Sequence, residues 1–241
     1  MKKSLMQQLL SGQIVNEEKR NYSHTQLITM FAKCPATWSA KYVSGEERLA
    51  GGAASFGLGY EAAIAERVGF VVKNKPSMEA IAAADAYMEW EPGIKKGEPL
   101  EYQKAIELKD PTMKFPLIGF IDFVRQNDTV VDIKTAGKFE FKADWLLQVV
   151  LYASCLGLPK WEVHVHNKKT KKLVNSFKLY KGEVSSHLRK EVLASYVYFA
   201  KMIEVRNDFG TELARIPGDW CRWCCDTGCH TGRVFMERGG E

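Results

Sequence analysis

Leu117-Ile118-Gly119-Phe120-Ile121-Asp122-Phe123-Val124-Arg125, then Gln126-Asn127-Asp128, then Thr129-Val130-Val131-Asp132-Ile133-Lys134: this stretch decides the fold. Two runs rich in β-branched and aromatic residues flank three turn-formers, the pattern of a β-hairpin. Each run carries a carboxylate among apolar neighbours. A charge buried without a partner is expensive, so it demands a counter-charge or a metal. Asp132 and Lys134 are two apart on a strand and share a face. Asp122 reaches that face if the register sets it opposite. Two carboxylates converging beside an ammonium can hold Mg²⁺ or Mn²⁺ through oxygen ligands. Such an ion withdraws charge from a phosphate and lowers the pKa of bound water. The lysine can orient or help deprotonate that water and stabilise the developing charge. The plain alternative is an Asp132–Lys134 ion pair on a solvated sheet face, and these three residues alone do not separate the two.

Working outward from the hairpin, periodicity predicts a helix over 142–156 and strands over 161–166 and 173–179 about a turn-prone 167–172. A long amphipathic helix follows over 182–207. Upstream, a helical pattern over 22–42 has Ser23 or Thr25 as its cap and an interruption at Pro35, with a second short helix expected to start over 36–42. Residues 51–55 read as a flexible loop, with helices over 56–68 and 77–90; the chain turns to β character only at Lys114. Residues 1–21 form a polar arm, 22–216 the main domain, and 217–241 a tail too short for its own core. The order helices, hairpin, helix, hairpin, helix predicts the α/β class, with a mixed central sheet flanked by helices.

Composition narrows the field only a little. The 241 residues suffice for a proper core. The 34 basic residues against 29 acidic ones give +5, which permits nucleic-acid binding without arguing for it. No apolar run reaches the ~20 residues of a membrane span, and MKKSLMQQLLSGQ lacks the apolar core of a secretory signal. The reading is therefore a cytoplasmic protein in a reducing compartment, with no membrane partner. Six cysteines there are not disulfides. Cys155 suits a small core position on an apolar helix, but Cys221, Cys224, Cys225 and Cys229 crowd into nine residues, which points to metal. The runs Lys95-Lys96 and Lys168-Lys169-Thr170-Lys171-Lys172 read as solvated turns before phosphate contacts. His164 and His166 read as ordinary sheet residues, since no third ligand accompanies them. Trp220 and Trp223 could stack on unpaired bases or pack around a metal cluster.

Asp122 … Asp132-Ile133-Lys134, with the carboxylates ten positions apart, resembles the core motif of the PD-(D/E)XK nuclease superfamily. Gln148-Val149-Val150-Leu151-Tyr152 on the next helix resembles the Q-x-x-x-Y motif of its RecB-like branch; Gln148 and Tyr152 lie on one helical face. Phe56-Gly57-Leu58-Gly59-Tyr60-Glu61 stands where that branch has G-x-x-x-H, with Glu61 in place of the histidine. Glutamate is a competent ligand for Mg²⁺ or Mn²⁺; it is equally an ordinary exposed helix residue. Cys34-Pro35 is similar to the early "CP" of the iron–sulfur members, which include the CRISPR-adaptation nucleases and the AddB nuclease domain. The late cysteines run C-x₂-C-x₄-C where that group commonly has C-x₂-C-x₅-C.

The resemblance implies a restriction-endonuclease-like core with Asp122, Asp132, Lys134, Gln148 and Tyr152 as catalytic residues. It implies metal ligation by Glu61, Asp122, Asp132 and Ile133. It further implies a [4Fe–4S] cluster on Cys34, Cys221, Cys224 and Cys229, with Cys225 as substitute and zinc as the alternative. Such a cluster would clip the tail to the N-terminal helix. The implied activity is metal-dependent DNA hydrolysis, as an exonuclease on single strands or duplex ends, in recombination, repair or DNA processing. Recombination or CRISPR-adaptation proteins would be its partners, since the chain looks like small stand-alone nucleases found in phage genomes or beside CRISPR systems. The competing reading is a catalytically weak DNA-binding or adaptor subunit, for which the Glu61 departure speaks.

Overall fold

A computed structural model describes residues 21–43, 52–72, 75–90, 100–170, 175–208 and 229. Cys221, Cys224, Cys225, Trp220, Trp223, Lys95, Lys96, Lys171 and Lys172 lie outside these, as do the arm before Asn21 and nearly all of the tail.

The expected hairpin forms as β2 (Leu117–Arg125) and β3 (Thr129–Ala136), joined through Gln126 and Asn127 with left-handed φ of 53° and 57°. Three further strands extend it: β1 (Leu100–Leu108), β4 (Lys160–Asn167) and β5 (Phe177–Glu183). The spatial order is β1-β2-β3-β4-β5. All neighbours are antiparallel except β3 and β4, which run parallel. A parallel pair needs a crossover, and α5 (Ala143–Leu156) supplies it.

The helices divide between the two faces. On one, α5 and α6 (Ser186–Asp208) bury Val149, Val150, Val192 and Tyr196 against Ile121, Val130, Val163 and Val165. On the other, α3 (Gly52–Arg67) and α4 (Met78–Trp90) bury Tyr60, Ile64, Ala83 and Tyr87 against Phe123 and Val131. A sheet covered on both faces explains why β3 is buried without alternation over its first four residues. The α4 face also carries a buried polar chain. Tyr87 bonds His164 Nδ1, His164 Nε2 lies 3.0 Å from Glu162 Oε2, and Arg125 Nη2 donates to Glu162 Oε1 at 2.6 Å. His166 is packed among Phe56, Tyr60 and Phe177. Both histidines are thus built into the core.

Four expectations need correcting. Strand β1 was not anticipated, because its alternation is of half-buried and exposed residues with only Ile106 fully buried. Residues 52–55 belong to helix α3, since alanine and serine tolerate the first turn as readily as a loop. The last strand lies at Phe177–Glu183, four residues beyond the expected 173–179. The helix over 22–42 is four short segments: α1 (His24–Ile28), a π-helical turn (Thr29–Lys33), α2 (Pro35–Trp38) and a second π-helical turn (Ser39–Val43). Pro35 starts α2, where its missing N–H costs nothing. Ser23 is the cap of α1, accepting from the Gln26 N–H at 3.3 Å.

Candidate active site

The β2–β3 ladder pairs Phe123 with Val131 but goes no further toward the open end of the hairpin. There the Ile133 N–H is taken by a side chain: it donates to Asp122 Oδ2 at 2.7 Å. The strands part at this point, and the gap is reached from both faces of the sheet.

From the α5 face come Asp132, Lys134, Gln148 and Tyr152. Lys134 Nζ donates to Asp132 Oδ1 at 2.9 Å and to Gln148 Oε1 at 3.0 Å. Gln148 Nε2 in turn donates to the Tyr152 hydroxyl at 3.2 Å. Asp132 Oδ2 is buried 2.8 Å from the same ammonium, at an angle that makes no hydrogen bond. From the α3 face comes Glu61, whose Oε1 accepts from Gln103 Nε2 and which also bonds the Tyr102 hydroxyl.

The electrostatics bind these groups into one cluster. Burial pushes the Asp122 carboxyl well above its ordinary range, and the Asp132 and Glu61 charges push it further. Burial likewise raises Glu61, with Asp132 adding to it, and raises Asp132 against the pull of Lys134. Burial works to lower the Lys134 ammonium, but Asp132 and Asp122 outweigh it and hold it above its ordinary value. Three carboxylates thus crowd one ammonium, and the fully ionised cluster would carry more negative charge than Lys134 neutralises. That excess and the unbonded Asp132 oxygen suit a hard cation. Among the described residues no three acidic, histidine or cysteine side chains form a closed metal cage. A cation here would draw on few protein ligands, as Mg²⁺ commonly does, and keep its other positions for water and phosphate oxygens.

Glu61, Asp122, Asp132, Lys134, Gln148 and Tyr152 are therefore brought together, and Ile133, the seventh expected residue, joins them through its N–H bond to Asp122. Glu61 is half-buried beside the cluster and not on a solvated surface. Two further residues had no signal in the sequence. Gln103 lies on the unanticipated β1. Gly119 lies under the Tyr152 ring: a Cβ there would stand 2.7 Å from Tyr152 Cε1 and 2.8 Å from its hydroxyl. At the expected cluster, Cys34 is buried at the start of α2 and Cys229 is half-buried. Its other ligands fall outside the described residues.

No helix among the described residues is long and apolar enough to cross a membrane. No family model and no curated protein matches the sequence. Solved structures do. A protein of Eubacterium rectale, provisionally named an exonuclease, superposes with a TM-score of 0.53 at 13% identity, over 97% of this chain and 93% of that one. LHK-Exo, an alkaline exonuclease from Laribacter hongkongensis crystallised with dAMP, gives 0.51 at 13% identity, over 78% of this chain and 90% of that one. At such identity the likeness concerns the fold: this chain is an α/β protein with a mixed five-stranded sheet flanked by helices, the architecture of these exonuclease structures.

Proposed function

We propose that the chain is a metal-dependent deoxyribonuclease working as an exonuclease on single strands or duplex ends. The observation that carries this is the joining of Glu61, Asp122, Asp132, Lys134, Gln148 and Tyr152 at the parting of β2 and β3. The fold shared with structures named as exonucleases, one of them holding a deoxynucleotide, supports it.

Asp122 and Asp132 would hold Mg²⁺ or Mn²⁺, with Glu61 close by. Ile133 could join only through its carbonyl oxygen, since its side chain offers no donor. Bound there, the ion supplies Lewis acidity toward the phosphate and lowers the pKa of water. The protein's own part falls to Lys134. Asp132 and Asp122 hold its ammonium above the ordinary lysine value, which suits it to serve as a donor and a positive charge. Of its three N–H groups, one goes to Asp132 and one to Gln148, which leaves one for a phosphate oxygen or the attacking water. Gln148, held by Tyr152, fixes where that third donor points.

The test is degradation of end-labelled DNA in Mn²⁺ by wild type, Lys134→Ala and Asp132→Ala. Wild type should shorten the strand from an end, and both variants should lose this. Equal behaviour of all three would defeat the proposal and favour the adaptor subunit. The same protein, purified without oxygen, tests the second metal. A [4Fe–4S] cluster on Cys34, Cys221, Cys224 and Cys229, or with Cys225, would give a brown absorption and bound iron. Stoichiometric zinc without colour would replace it with the zinc alternative.

A further inference from the structure

Gln103 has a backbone unlike that of its neighbours in β1. Its φ is +52°, the left-handed region. The other described non-glycine residues with positive φ, Gln126 and Asn127, sit in a tight turn that requires it. Gln103 sits in mid-strand: Tyr102 pairs with Phe123 and Lys104 with Ile121, while the ladder skips the position between, where Gln103 would face Asp122. A side chain with a Cβ resists this conformation and glycine accepts it freely, yet a glutamine occupies it.

The contacts explain why. Successive residues of an extended strand point to opposite faces. Tyr102 and Gln103 are successive, and both bond the Glu61 carboxylate. An extended Gln103 would aim its amide away from α3. The left-handed kink turns it back to the side where Glu61 lies.

We propose that Gln103 is a positioning residue for the metal-binding carboxylates, its kinked backbone serving to hold Glu61 at the cluster opposite Asp122. This rests on the nuclease reading above. An amide is the suited group. It donates to one carboxylate oxygen and leaves the charge intact, whereas lysine or arginine would neutralise Glu61 and compete with the cation. Placement by a neutral second partner is how carboxylate ligands are commonly oriented.

Titration calorimetry with Mn²⁺ and thermal melting of the full chain test this on wild type, Glu61→Gln, Gln103→Ala, Gln103→Gly and Gln103→Asn. All three Gln103 variants should bind Mn²⁺ about 10-fold or more weakly, as lost outer partners of metal ligands do. Gln103→Gly should melt above Gln103→Ala because it is free of the kink's strain. Asparagine tolerates left-handed backbone but is one methylene shorter, so it should keep the melting temperature without restoring affinity. A Gln103→Gly protein binding Mn²⁺ as wild type does, while Glu61→Gln binds weakly, overturns the role of Gln103 and leaves the metal site standing. A wild type that takes up no Mn²⁺ overturns both.

Discussion

The Tyr152 ring lies against the bare Cα of Gly119, so close that a methyl group on Gly119 would fall 2.7 Å from Cε1 and 2.9 Å from Cζ. Helix α5 can therefore seat Tyr152, and with it Gln148, only because β2 has no side chain at that point.

Gly119→Ala should lower stability by about 1–3 kcal/mol, the usual cost of overpacking a core. The melting temperature should fall by about 2–4 °C for each kcal/mol. DNA cleavage should drop as Gln148 loses its anchor. Because the ring itself clashes, Tyr152→Phe should not rescue the variant, whereas Tyr152→Leu should restore the melting temperature without the activity.

Among the described residues, Lys134 is the one cation bonded to a nearly dry Asp132, whose side chain is 3% exposed. Lys134→Met should destabilise by about 3–5 kcal/mol, because it strands a buried carboxylate. The double variant Asp132→Asn with Lys134→Met should recover most of that loss in a denaturant melt. Neither should cut DNA.

Asp122 illustrates the opposite balance. Its charge is disfavoured by burial and by two neighbouring carboxylates. Asp122→Asn can still accept the Ile133 N–H through its amide oxygen. In EDTA at pH 7.5 this variant should be more stable than wild type by roughly 1–2 kcal/mol, while nuclease activity is lost. An unchanged or lower melting temperature would contradict the charge crowding.

His24, buried in α1 beside the Tyr196 hydroxyl, sets an acid limit. Burial, aided by the Lys134 charge, lowers its pKa from 6.5 to about 4. The unfolded chain takes a proton near pH 6.5 that the folded chain takes only near 4, so this contribution is lost as pH falls through that window. The raised carboxylates of the cluster act in the opposite direction, so the comparison must be with His24→Gln. The stability gap between wild type and variant should shrink by about 1–2 kcal/mol from pH 7.5 to pH 5.

The legible parts of the molecule are those whose signal is local. The β2–β3 hairpin announces itself through apolar runs around a turn, and Asp132 and Lys134 share a face by strand periodicity alone. Gln148 and Tyr152 meet because four residues make about one helical turn. Strand β1 stayed hidden because Glu101, Lys104 and Glu107, suited to a sheet edge, look like a loop. The π-helical turns after Ile28 and Trp38 have no compositional mark. Gln103 and Gly119 matter only through residues 42 and 33 positions distant, Glu61 and Tyr152, and no spacing rule reaches that far.

Where β2 and β3 part, a main-chain amide is wired to an ionisable group. The Ile133 N–H would otherwise belong to a sheet ladder and be blind to chemistry. Bonded to Asp122 Oδ2, it lies one atom from any change in that carboxylate's charge. In a ¹⁵N spectrum the Ile133 resonance should therefore shift on protonation or cation uptake while amides of the intact ladder, such as those of Val124 and Val130, stay put. The fold carries its own spectroscopic gauge of the site, read without substrate and without altering a residue.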